Sequence, residues 1–176
     1  MAIVAGLFPM LVKLKDENEA LYLKRLQQIF DFLVFLAIGL GICTYFVAEP
    51  LIGNIWGSEY IQSAYVLQIH IWSSVFIFMR ALFSRWIHIE EVFIFSLVTQ
   101  AIGALFNVVL NYFLIPDYGS YGAAIATLIS YGMASFVSLA LHQKSRVVFY
   151  MMCKSLLVPL RAPKIMWDIR KIDNKI

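Results

Sequence analysis

The chain has 176 residues, of which 61% are hydrophobic, 15% aromatic and 14% charged, and its mean hydropathy is +0.78. A water-soluble domain is about 45–50% apolar and about 25% charged, so this composition selects lipid as the solvent and excludes a disordered chain, a collagen-like repeat and a disulfide scaffold. The net charge of +3 has no meaning until the charges are placed along the chain.

A helix needs about 20 apolar residues to cross a hydrocarbon core of about 30 Å. The first apolar run, residues 1–12, is too short to cross alone. Its basic residues Lys13 and Lys15 follow it, whereas a signal peptide would carry them in front. The run reads as the second half of a span whose first half is missing, in a chain that is a fragment of a longer one. Residues 19–28 set Leu23, Leu26 and Ile29 against Lys24, Arg25 and Gln28, the pattern of an interfacial helix leading into the next span.

That next span covers residues 29–48, uncharged from Phe32 onward, and a third covers 60–83. Two more cover 92–116 and 118–141, joined at Pro116, Asp117, Tyr118 and Gly119. These are tight-turn residues, so the pair is expected to form an antiparallel helical hairpin. The segment from Val147 to Leu160 is apolar but interrupted by Lys154 and Pro159. It reads as amphipathic or re-entrant, with a short extra span as the alternative. The expected fold is all-α: a polytopic transmembrane bundle of about four full spans and one N-terminal partial span over residues 1–146, then a cytoplasmic amphipathic and basic tail over 147–176.

Lys and Arg concentrate in cytoplasmic loops, which tests the alternation independently. All 14 basic residues fall on one side of it: Lys13, Lys15, Lys24 and Arg25 after the first run, Arg80 and Arg85 at the end of the third span, and the rest from Lys144 onward. The two opposite loops carry only Glu49, Glu59 and Asp117. The C-terminus is therefore expected on the cytoplasmic side. Trp56, Tyr60, Tyr118 and Tyr121 near the outer ends, and Tyr22 and Trp86 near the inner ones, suit interfacial aromatic belts.

Positions four apart share a helix face. Gly122, Ala126, Ser130, Ala134 and Ser138 form a ladder of small residues, the pattern that lets membrane helices approach closely. Thr99, Gly103, Asn107 and Asn111 share a face of the preceding span, with Gln100 beside them. The two carboxamides need partners in hydrocarbon, either on a neighbouring helix or in a polar cavity. On the third span His70, Ser73, Ser74, Ile77 and Ser84 share a broad face with Arg80 at its edge. His70 is either a hydrogen-bonded interior histidine or a proton carrier. Arg80 either snorkels to the cytoplasmic interface or faces a cavity where its fork could hold an anion such as a diphosphate. Cys43 and Cys153 read as unpaired thiols, and Glu90 with Glu91 as a solvated turn. There is no Walker loop, dinucleotide turn, HExxH or nucleophile elbow. The pattern calls for no cofactor, metal or nucleic acid, and for no enzyme activity.

The run Gly103, then Asn107 through Gly119, then Tyr121 through Tyr131, together with Leu7, Phe8 and Pro9 before Leu11, Val12 and Lys13, and the stretch Ile69, His70, Ile71, Trp72, resembles the C-terminal portion of bacterial polysaccharide flippases. These are the O-antigen and capsule transporters of the multidrug, oligosaccharidyl-lipid and polysaccharide exporter superfamily. The resemblance implies an inner-membrane protein of two helical lobes that moves undecaprenyl-diphosphate-linked oligosaccharides by alternating access. The chain would supply part of the second lobe, the first coming from a missing N-terminal segment or a partner, with the substrate path between them. On this reading Arg80, Arg85, His70, Asn107 and Asn111 are the candidate substrate-binding residues. A multidrug exporter, a membrane-embedded transferase and a non-transporting subunit or remnant are the competing expectations.

Overall fold

The computed structural model describes residues 2–161, and every regular element among them is a helix. They are α1 (Ala2–Glu17), α2 (Glu19–Ile55), a single 3-10 turn (Ser58–Tyr60), α3 (Ile61–His70), α4 (Ser73–Glu90), α5 (Phe93–Ser135), a second 3-10 turn (Val137–Ala140) and α6 (Arg146–Leu156). Two runs are long and apolar enough to cross a membrane, α2 and Phe93–Ala140, and the bent pair Ser58–His70 with Ser73–Glu90 passes the same test together. Residues 162–176, with Lys164, Arg170, Lys171 and Lys175 of the expected basic tail, lie outside the described residues.

The 37 residues of α2 make it the axis of the bundle. The expected interfacial helix at 19–28 and the span at 29–48 are one uninterrupted helix that runs on through Glu49 and Pro50 to Ile55. The first loop is correspondingly short. α1 continues past Lys13 and Lys15, and a single residue, Asn18, separates it from α2. Asn18 adopts an extended backbone and its side chain accepts the Leu21 amide at 2.9 Å, capping α2.

Along its inner face α2 buries Tyr22, Leu26, Phe30, Leu33, Val34 and Ala37. They pack with Val4 and Leu11 of α1, Met79, Leu82 and Phe83 of α4, and Val148 and Met152 of α6. A smaller cluster of Ala48, Ile52 and Ala64 joins the far end of α2 to α3. Close packing of this kind is held by dispersion and shape.

The third apolar run does not form one straight helix. It bends by 42° between His70 and Ser73. The Trp72 ring lies 3.2 Å from where a Cβ on Gly41 would stand, so glycine at 41 leaves the space the indole fills. At the bend the Trp72 amide bonds Ile69 O at 3.3 Å and the Val75 amide bonds Trp72 O at 3.2 Å, tight three-residue turns in place of α-helical spacing.

α5 is long in sequence and folded in space. As a straight rod its 43 residues would measure about 65 Å. Gly119, three residues after Pro116, has φ 55° and ψ −132°, a combination open to glycine and closed to side chains. The chain turns back there. Gly103 of the first limb meets Ala134 and Ser130 of the second, and Gly122 meets the Leu114 backbone.

Candidate functional site

Arg80 is the anchor of the most polar interior region. α4 continues past it to Glu90, which places Arg80 about 15 Å along the helix from that end. Its guanidinium reaches the first limb of α5: Nη2 donates to Ser96 Oγ at 2.7 Å and Ser96 O at 3.4 Å, and Nη1 to Thr99 Oγ1 at 3.5 Å. Thr99 in turn donates to Ser96 O at 3.0 Å, and the Phe83 ring lies 5.3 Å from the guanidinium carbon. Every hydrogen-bond partner is a neutral oxygen.

Beside Arg80 a cavity of about 320 Å³ opens between α4 and the two limbs of α5. Its walls are Arg80, Gln100, Gly103, Ala104, Asn107, Thr127, Ser130, Tyr131, Ala134 and Ser135. Among the described residues, one cation, two carboxamides and several hydroxyls line it, and no carboxylate does. Ser130 is buried with no partner for its hydroxyl. A site of this composition can neutralise an anion with Arg80 and hydrogen-bond hydroxyl groups with Gln100, Asn107 and Ser130.

Of the five candidate binding residues, the structure brings Arg80 and Asn107 together on this cavity. Asn111 lies one turn further on, donating to Asn107 Oδ1 at 2.9 Å, so it orients Asn107 and does not line the space. Arg85 points to α1, where its guanidinium lies 5.7 Å from the Phe8 ring. Residues five apart differ by about 140° around a helix, which is why the two arginines diverge. His70 is exposed at the end of α3, beyond the bend that breaks the face it was to share with Arg80. The ladder of small residues places Gly122, Ala126, Ser130 and Ser138 in buried positions, with Ala134 half-buried against Gly103.

Two polar contacts lie outside the sequence-derived set. Glu90 is not a solvated turn residue: its carboxylate receives Lys15 Nζ at 2.7 Å, joining α4 to α1, while Glu91 alone is exposed. Asp31 accepts from Gln27 Nε2 and from Ser155 Oγ, both at 2.7 Å, and Arg161 approaches its other oxygen at 3.8 Å. These donors take the place of water around the Asp31 carboxylate where α6 packs against α2. Ser96 could have been found, since Ser96, Gln100, Gly103 and Asn107 follow the three-and-four spacing of one helix face. The Lys15–Glu90 and Asp31–Ser155 pairings have no local signature. No known family, no curated protein and no solved structure matches this chain.

Proposed function

We propose that the chain forms part of the translocation path of a membrane transporter that flips lipid-linked oligosaccharides, carried on undecaprenyl diphosphate, across the bacterial inner membrane for surface polysaccharide synthesis. The observation that carries this reading is the cavity beside Arg80, where a guanidinium held by neutral oxygens stands among carboxamides and hydroxyls with no carboxylate on the walls. A diphosphate supplies the missing anion and a glycan the matching hydroxyls. A cationic drug would find no counter-charge there, which disfavours the multidrug alternative.

In this reading the chain crosses the membrane with an N-terminal partial span in α1, then α2, the bent pair α3 and α4, and the two limbs of α5, leaving α6 and the C-terminus cytoplasmic. Support comes from contacts at the side assigned to the cytoplasm: Lys15 meets Glu90, and Asp31, at the cytoplasmic end of its span, meets Ser155 and Arg161. The cavity is a half-site. Its other wall comes from an opposing helical lobe, on the same polypeptide or a partner, as the polysaccharide-flippase resemblance implies.

The test is transfer of a fluorescent undecaprenyl-diphosphate oligosaccharide across proteoliposomes containing both lobes. Arg80→Ala is expected to slow transfer at least tenfold and Arg80→Lys to restore part of it, because lysine keeps the charge and loses the fork. Arg85→Ala is expected to have the smaller effect. Undiminished transfer with Arg80→Ala would remove the cavity from the mechanism.

A further inference from the structure

α6 has two faces of opposite use. Val148, Met152 and Ser155 are buried against α2, with Ser155 hydrogen-bonded to Asp31. The other face projects Arg146, Val147, Tyr150 and Lys154, all exposed, and Leu157 and Leu160 continue it past the end of the helix. Tyr150 is 68% exposed and Leu160 81%. Lys144 stands exposed just ahead of the helix. The sequence holds no Asp or Glu between Asp117 and Asp168, so no acid is interspersed with these cations.

Bulk water would solvate the cations and strand the tyrosine and leucines. Hydrocarbon would do the reverse. The headgroup layer of a bilayer takes both, with aromatic and aliphatic groups at the acyl boundary and lysine and arginine stems reaching phosphate. We propose that the outer face of α6 is a binding surface for anionic phospholipid headgroups of the cytoplasmic leaflet, with Lys144, Arg146 and Lys154 as the phosphate contacts and Tyr150 and Leu157 as the apolar anchors. The proposal rests on the bilayer topology proposed above and not on transport activity, so a failure of flipping leaves it standing.

The experiment is native mass spectrometry of the full chain purified with equal amounts of phosphatidylglycerol and phosphatidylcholine, counting retained lipids of each kind. The wild type is expected to retain phosphatidylglycerol preferentially, and the preference to fall as salt is added. Each basic residue at an anionic surface is worth about fivefold in affinity. Lys144→Gln, Arg146→Gln and Lys154→Gln combined are therefore expected to reduce the preference at least tenfold, while Lys13→Gln with Lys24→Gln, exposed cations elsewhere, leave most of it. An undiminished preference in the triple variant, an equal loss in the Lys13 and Lys24 variant, or a wild-type preference insensitive to salt would each overturn the assignment. The substituted side chains are exposed, and circular dichroism of each variant verifies that the helix content is retained.

Discussion

Lys15 Nζ stands 2.7 Å from Glu90 Oε1 and 5.4 Å from the centre of the Tyr22 ring, so one ammonium joins the ends of α1 and α4 above a buried phenol. The hydrogen bond to Glu90 is the main reason that Lys15 holds its proton above the usual 10.5, with Glu19 assisting and burial opposing. Burial pushes the Tyr22 phenol well above its usual 10.0, with Glu90 and Glu19 adding to it. Both groups bind the proton more tightly in the folded chain. For both groups the contribution to stability is complete below the unfolded value, near pH 10, declines once the unfolded group gives up its proton and is lost as the pH rises through the raised folded value. Thermal unfolding in detergent followed from about pH 9 to pH 11 is expected to show a falling midpoint. Tyr22→Phe should flatten part of that fall. Because the hydroxyl is buried without a partner, the same variant is expected to be as stable at neutral pH or more stable by about 1 kcal/mol. A lower midpoint at neutral pH would mean that the hydroxyl has a partner.

The ion pair itself is partly exposed, with side-chain exposures of 29% and 21%. A double-mutant cycle of Lys15→Met and Glu90→Gln is expected to give a coupling of about 0.5–1 kcal/mol that weakens in salt. No coupling would make the contact incidental.

Ser155 is fully buried and its hydroxyl both donates to Asp31 and lies 2.8 Å from Gln27 Nε2. Ser155→Ala leaves a half-buried carboxylate short of a donor, at a cost of about 1–3 kcal/mol. The loss should be local. Hydrogen exchange is expected to quicken along α6 with little change in α4, and uniform quickening would contradict a docking role.

At Gly103 any side chain collides with Ala134, and at Gly122 with the Leu114 backbone. Gly103→Val forces the limbs of α5 apart and is expected to cost about 1–3 kcal/mol, read as a lower melting midpoint. Gly132 provides the comparison, because a Cβ there meets only the Phe76 ring at 3.4 Å. Gly132→Ala is expected to be close to neutral. Equal sensitivity at both positions would deny the close limb contact.

Glu91 is the only non-glycine residue with positive φ among the described residues, at 56°, where it ends α4 in the left-handed conformation. That geometry costs a side-chain-bearing residue about 1–2 kcal/mol and glycine almost nothing. Glu91→Gly is therefore expected to stabilise the chain, reduced by the larger freedom of glycine when unfolded. A lower midpoint would show that the Glu91 carboxylate makes a contribution of its own.

The helical class was legible because uncharged apolar runs of about 20 residues are far longer than a strand and match the length of a helix. The reversal near Gly119 was legible because Pro116, Asp117 and Gly119 are local turn chemistry. Asn107 could be placed inward because a carboxamide on an apolar helix must find a partner, whereas Arg80, near the end of its run, read equally as an interfacial or an interior residue. What could not be read depends on partners distant in sequence. Lys15 and Glu90 are 75 residues apart, and Asp31 with Ser155 is 124 apart. The break before Ser73 coincides with an indole seated on a glycine of another helix. The divergence of Arg80 and Arg85, by contrast, is simple helical geometry.

The ion pairs of the described residues are not spread evenly. Those joining separate helices or segments, Lys15 with Glu19 and Glu90 and Arg161 with Asp31, are at one end of the bundle, and the opposite end turns on Gly57 and Gly119, with Glu49, Glu59 and Asp117 exposed. The bundle is thus tied by ion pairs at its basic end and, among the described residues, by none at its acidic one. A motion that splays its helices would pivot about the Lys15 and Asp31 contacts and be widest at the two glycine turns, an amplitude gradient that spin labels at Ser58 and Ser120 compared with Lys13 and Lys144 would measure directly.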